Sequence, residues 1–131
     1  MTASFIDTNL LLDFFDNTPK KPELIDCFRY GCLLNYCVFA ELTNLIKNKF
    51  STDKSFKSAN TILTHTNVFE IVPITNQDKI LALEIMQKFL DNNYSYTDSL
   101  ILAQAQRLQT KVFTRDKVMI NYQKVFVEIP Y

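Results

Sequence analysis

Glycine and histidine occur once each in these 131 residues, as Gly31 and His65, and cysteine three times. One glycine cannot build a glycine-rich phosphate loop of either common kind, which excludes the usual nucleotide-cradling motifs. One histidine excludes histidine-rich metal sites. His65 lies in a polar stretch with Thr64, Thr66 and Asn67 and reads as a surface or helix-end residue. Cys27, Cys32 and Cys37 are odd in number and five residues apart, neither a disulfide framework nor a CxxC zinc pattern. Free thiols, buried or half-buried, are expected. No apolar run approaches the roughly 18 residues of a membrane span. Met1 to Asp7 lacks a basic region leading into a long apolar core, so no secretory signal is expected and a cytoplasmic location is.

Charge of one sign is also missing. Fourteen basic residues balance fourteen acidic ones, whereas nucleic-acid binders are usually basic. That objection weakens if several acids hold metal, because bound cations cancel local charge and attract phosphate. Hydrophobic residues make up 47% of the chain and aromatics 13%, eleven of them Phe, so a folded core is expected rather than disorder. Length allows one domain spanning 1–131.

Short apolar segments alternate with helical patterns. Ala3–Ile6 reads as a buried strand ending at Asp7, followed by a helix over Asn9–Phe15 that Asp16–Pro19 closes. Pro22 opens a helix to about Tyr30, ended by Gly31. Cys32–Tyr36 is a second strand, and the next helix carries Val38, Leu42, Leu45 and Ile46 on one face. A helix over Asp53–Thr64 places Phe56, Ala59 and Leu63 on one side. Val68–Val72 is a third strand, and Thr75 caps a helix carrying Leu81, Ile85, Met86 and Phe89. After a break at Asp91–Asn93, Thr97 caps a helix to Leu108, with strands at Lys111–Thr114 and Val125–Val127. This alternation predicts a mainly parallel sheet covered on both faces, with ligands bound at the carboxyl ends of its strands.

Four acids fall at that edge. Asp7 directly follows the first strand and Asp116 closely follows the fourth. Glu41 lies about one turn into the helix after the second strand, and Asp98 starts the helix before the fourth. Clustered carboxylates raise one another's pKa, and a hard divalent cation resolves the conflict. Mg2+ or Mn2+ prefers carboxylate oxygens and keeps waters, one of which can act as a nucleophile. Each acid also has a plainer reading: Asp7, Asp98 and Asp116 as helix-start residues, Glu41 as a solvated helix residue. Asp13, Asp16, Asp26, Asp53, Asp78 and Asp91 read as surface or turn residues.

Phe5-Ile6-Asp7-Thr8-Asn9-Leu10-Leu11 resembles the opening signature of PIN domains, Ala40-Glu41-Leu42 their second acidic position, Thr97 to Ala105 their third and Val112-Phe113-Thr114-Arg115-Asp116 their last block. The order and spacing span almost the whole chain. The resemblance implies a three-layer α/β/α sandwich with a five-stranded sheet in the order 3-2-1-4-5, and an Mg2+- or Mn2+-dependent endoribonuclease. It implies Asp7, Asp98 and Asp116 as metal ligands with Glu41 in the catalytic set, and Thr8 and Thr114 as supporting hydroxyls. The small size looks most like VapC-type toxins, which implies a homodimer and a small antitoxin that blocks the site. Many relatives carry a further acid soon after the last block, where this chain has Lys117, Val118 and Met119, so one firm metal site is expected.

Arg115 and Lys117 flank Asp116 and are candidates for holding RNA phosphates. Tyr96, with Tyr94, precedes Asp98 and is a candidate for stacking on unpaired bases. The competing readings are a degenerate PIN domain that binds RNA or a protein without cutting, a phosphatase or phosphotransferase with Asp7 as nucleophile, and a phosphate-receiver module. The last two want a second acid near Asp7, and Asn9 stands where the phosphatase would carry it.

Overall fold

The computed structural model describes residues 2–131. The chain runs β1 (Ser4–Ile6), α1 (Thr8–Phe15), α2 (Pro22–Cys27), β2 (Cys32–Leu34), α3 (Tyr36–Lys49), α4 (Thr52–Thr64), β3 (Phe69–Ile71), α5 (Asn76–Lys88), α6 (Tyr96–Leu108), β4 (Val112–Phe113) and β5 (Val127–Glu128). Single 3-10 turns lie at Leu90–Asn92 and Lys117–Asn121. Every strand pairing is parallel, and the sheet order is β3-β2-β1-β4-β5.

Handedness then fixes the layers. Right-handed crossovers that step from β1 to β2 to β3 put α1 to α4 on one face. The step back to β4 reverses direction and sends α5 and α6 to the other face. The packing agrees: α1 and α4 lie against α3, and α5 lies against α6. The result is the expected three-layer α/β/α sandwich. β1 and β2 are buried at every residue, as a sheet covered on both faces requires. Strand order reverses between β1 and β4, where Ile6 pairs with Phe113.

Several local expectations shift. α2 stops at Cys27, three residues short of the expected end. Gly31 lies beyond it at φ +102°, where an added Cβ would stand 3.3 Å from the Ala3 Cβ. α4 buries Ser58 and Ile62, while Phe56 and Leu63 face outward. Helical spacing marks a stripe of apolar residues but does not tell an outward stripe from an inward one. α6 begins at Tyr96 and is capped by Ser95 rather than Thr97. Asp78 is no surface residue: it is buried, closes a capping box with Thr75, and takes two hydrogen bonds from Arg107 at 2.7 and 3.0 Å. The three cysteines are free; burial pushes the Cys27 thiol up to about 11 and Cys32 higher still, so neither is a nucleophile at neutral pH. His65 is the exposed C-cap of α4. Among the described residues no helix is long and apolar enough to cross a membrane.

Candidate metal centre and active site

The parallel β1–β4 pairing brings Asp7 and Thr114 together just beyond the carboxyl ends of their strands. The Asp7 amide donates to the Phe113 carbonyl at 2.9 Å, extending the ladder by one step. Asp7 is buried and uses both carboxylate oxygens. Oδ1 accepts from the Thr8 amide at 2.8 Å, and Oδ2 accepts from the Thr114 hydroxyl at 2.7 Å. Thr114 Oγ1 in turn accepts from the Asp116 amide at 3.0 Å. One hydroxyl therefore ties the first and last acids of the set into a short chain.

Asp98 sits in the first turn of α6. Ser95 Oγ accepts from its amide at 3.0 Å, and its own carboxylate reaches back to the Ser95 amide at 3.4 Å. Asp116 Oδ1 accepts from the Val118 amide at 3.0 Å and so opens the 3-10 turn. Glu41 stands more exposed on α3. The plainer readings are thus correct for three acids: Asp7, Asp98 and Asp116 are all helix-start residues. Capping and clustering coincide for Asp7 and Asp116 because their helical turns directly follow the parallel strands β1 and β4, and Asp98 joins them because α6 runs down into the start of β4 and so begins at the same edge.

The charges feel one another. Burial, then Asp98 and Glu41, push Asp7 up to about 6 despite the hydrogen bonds from Thr114 and Thr8. Burial and the Asp98 charge raise Glu41, and burial and Asp116 raise Asp98. Carboxylates that repel one another in this way would be relieved by a bound cation. Among the described residues no three His, Cys, Asp or Glu side chains close into a ready-made metal cage. A tight cage is not needed for an ion such as Mg2+, which keeps several waters and takes only one or two carboxylates directly. The donor set fits such an ion. It is all hard oxygen, and the Thr8 hydroxyl beside it is buried without a formed hydrogen bond, loosely facing Glu41.

The candidate substrate residues divide. Lys117 is exposed and Tyr96 partly so. Arg115 is turned to Asp13, with Nε 3.3 Å from its carboxylate. Tyr94 cannot stack on a base: its ring is buried and its hydroxyl donates to the Val118 carbonyl at 2.8 Å, bracing the turn after Asp116. Two supporting residues escaped the sequence reading. Ser95 was findable, since Ser three residues before Asp is a capping-box pattern. Asn9, whose side chain accepts from the Arg115 amide at 3.3 Å, was not, because its partner is 106 residues away.

The chain belongs to the PIN domain family, whose model matches residues 4–125. No curated protein matches it in sequence. Solved structures match closely in fold at low identity. One is a toxin–antitoxin complex from Klebsiella pneumoniae, 20% identical over 98% of this chain and 98% of that one, with a TM-score of 0.71. VapBC2 from Rickettsia felis, bound to a DNA fragment from its promoter, is 13% identical over 95% and 96%, with a TM-score of 0.76. VapC20 from Mycobacterium tuberculosis, a toxin that cleaves the sarcin–ricin loop, is 15% identical over 95% and 97%, with a TM-score of 0.77.

Proposed function

We propose that this chain is a divalent-metal-dependent endoribonuclease and the toxin of a toxin–antitoxin pair. The observation that carries the reading is the meeting of Asp7, Glu41, Asp98 and Asp116 at one sheet edge, with Asp7 buried and held up to about 6 by burial and by its acidic neighbours. Membership of the PIN family and the fold likeness to toxin–antitoxin structures support it. Asp7, Asp98 and Asp116 would hold Mg2+ or Mn2+, which supplies an activated water and stabilises the charge that develops on the phosphate. The chain's own groups do the positioning. Thr114 aims the Asp7 carboxylate, Ser95 aims Asp98, and the Val118 amide aims Asp116. Glu41, the most exposed of the four, is the acid best placed to exchange protons with solvent. Lys117 and Tyr96 are the substrate contacts in this reading, and the substrate is RNA in the cytoplasm. A small antitoxin that covers the acidic edge, and a homodimer, belong to the same reading. Exposed Ile80, Leu83 and Leu90 on and just after α5 offer an apolar surface for the second copy.

The loose spacing of the acids favours one rival, a PIN domain that binds without cutting. End-labelled total RNA, incubated with the protein in Mn2+ or in chelator beside an Asp98→Asn variant, separates the two. Cleavage that needs both Mn2+ and Asp98 is expected, with Asp98→Asn slower by at least about 100-fold. Binding without cleavage by folded, antitoxin-free protein would establish the rival.

A further inference from the structure

Beside the acidic edge lies a polar cavity of about 190 Å3, lined by Asp13, Asp16, Lys20, Lys21, Arg115 and Tyr131 among others. Its cations differ in how firmly they are held. Lys20 Nζ is committed, donating to the Asp16 carbonyl at 2.6 Å, the Asp16 carboxylate at 3.0 Å and the Thr18 carbonyl at 2.8 Å. Lys21 lies 4.4 Å over the Tyr131 ring and pairs with no carboxylate among the described residues. Arg115 is held loosely, with contacts to Asp13 at 3.3 and 3.5 Å and a half-exposed side chain. Ion pairs this exposed contribute about 0–1 kcal/mol.

Asp13 does not depend on that arginine. It also accepts a 2.6 Å hydrogen bond from the Tyr131 hydroxyl, so its charge stays hydrogen-bonded if Arg115 leaves. The backbone at Arg115 is fixed meanwhile, its amide donating to Asn9 on α1. The side chain can therefore swing while Asp116, the next residue, stays in place. Asp7 and Asp13 are separated by about 9 Å along α1 at 1.5 Å per residue, so an anion in this cavity would sit beside the acidic centre, not in it.

We propose that this cavity is a subsite for a backbone phosphate of the RNA strand next to the one cleaved, and that Arg115 exchanges from Asp13 to that phosphate on binding. Lys21 supplies the uncompensated positive charge that draws the phosphate in, and Arg115 its planar fork. The inference rests on the ribonuclease reading above. It assigns Asp13 a role as a decoy carboxylate that holds Arg115 in waiting.

A double-mutant cycle tests it. Binding of a fluorescein-labelled single-stranded RNA 12-mer is followed by anisotropy in Mg2+ across a salt series, in an Asp98→Asn background that suppresses cleavage. Arg115→Gln is expected to weaken binding about 5- to 10-fold and to lower the salt slope by about 0.7, the loss of one phosphate contact. Asp13→Asn is expected to tighten binding about 3-fold or more, with melting temperature little changed. The double variant is expected to match Arg115→Gln alone, because the gain runs through Arg115. A gain from Asp13→Asn that persists without Arg115 would reduce it to simple charge removal and overturn the exchange. RNA binding that neither substitution moves would overturn the subsite while leaving the RNA reading intact. No RNA binding by the Asp98→Asn parent would overturn both.

Discussion

Asp7 accepts two good hydrogen bonds and is nevertheless raised from 3.8 to about 6, because burial and neighbouring acids outweigh them. Its charged form is therefore disfavoured in the folded, metal-free protein. The stability it contributes is fully present below about pH 4 and is lost as pH rises through about 6. Replacing it with Asn removes that penalty while keeping the shape and an acceptor. In chelator at pH 7.5, Asp7→Asn is expected to stabilise the fold by on the order of 1–3 kcal/mol, seen as a melting temperature several degrees higher. At pH 4 the advantage should vanish. A variant less stable than wild type at pH 7.5 would show that the carboxylate is structural. The same residue illustrates what a sequence reveals at this scale. Asp7 was legible because it directly follows a buried strand, but its bond to Thr114 depends on which strands become neighbours.

Among the elements, α6 carries the most chemistry, since its first turn presents Asp98 and its capping box orients that carboxylate. α5 has the same kind of box at Thr75, away from the four acids. The two caps make a matched pair. Ser95→Ala and Thr75→Ala should each cost about 1 kcal/mol in denaturant unfolding. Only Ser95→Ala should also weaken Mn2+ binding, by about 3- to 10-fold in isothermal titration. Equal effects on Mn2+ would mean that the caps act through stability alone. Strands and helices were readable here because β1 and β2 are short, mainly apolar runs and several helices carry clear stop residues. The faces of the helices were less so. Phe56 and Leu63 looked like core and are exposed, while Asp78 looked like surface and is buried. Those assignments depend on partners from other elements, Arg107 for Asp78 among them, which no local pattern encodes.

For the whole molecule, the proposed metal site would make stability depend on a divalent ion. A ligand that binds only the folded state stabilises it by about 2.7 kcal/mol at one hundred times its Kd. Mn2+ should therefore raise the melting temperature of the wild type by several degrees at pH 7.5. The rise should be smaller at pH 5, where Asp7 is largely protonated and competes as an acid with the metal. An Asp7→Asn/Asp116→Asn variant should show no such rise. A rise of equal size in that variant would place the ion elsewhere on the surface.

The Thr114–Asp7 hydrogen bond joins positions 107 residues apart. Synthesis proceeds from the amino end, so Asp7 is made early and waits for its hydroxyl partner. β1 stands in the middle of the sheet, yet its neighbour β4 is among the last strands translated. A ribosome carrying a chain that stops short of Asp116 holds some of the acids but not the assembled centre. On the proposed nuclease reading, a nascent chain could not cut the RNA around it until Thr114 and Asp116 had joined Asp7 at the sheet edge.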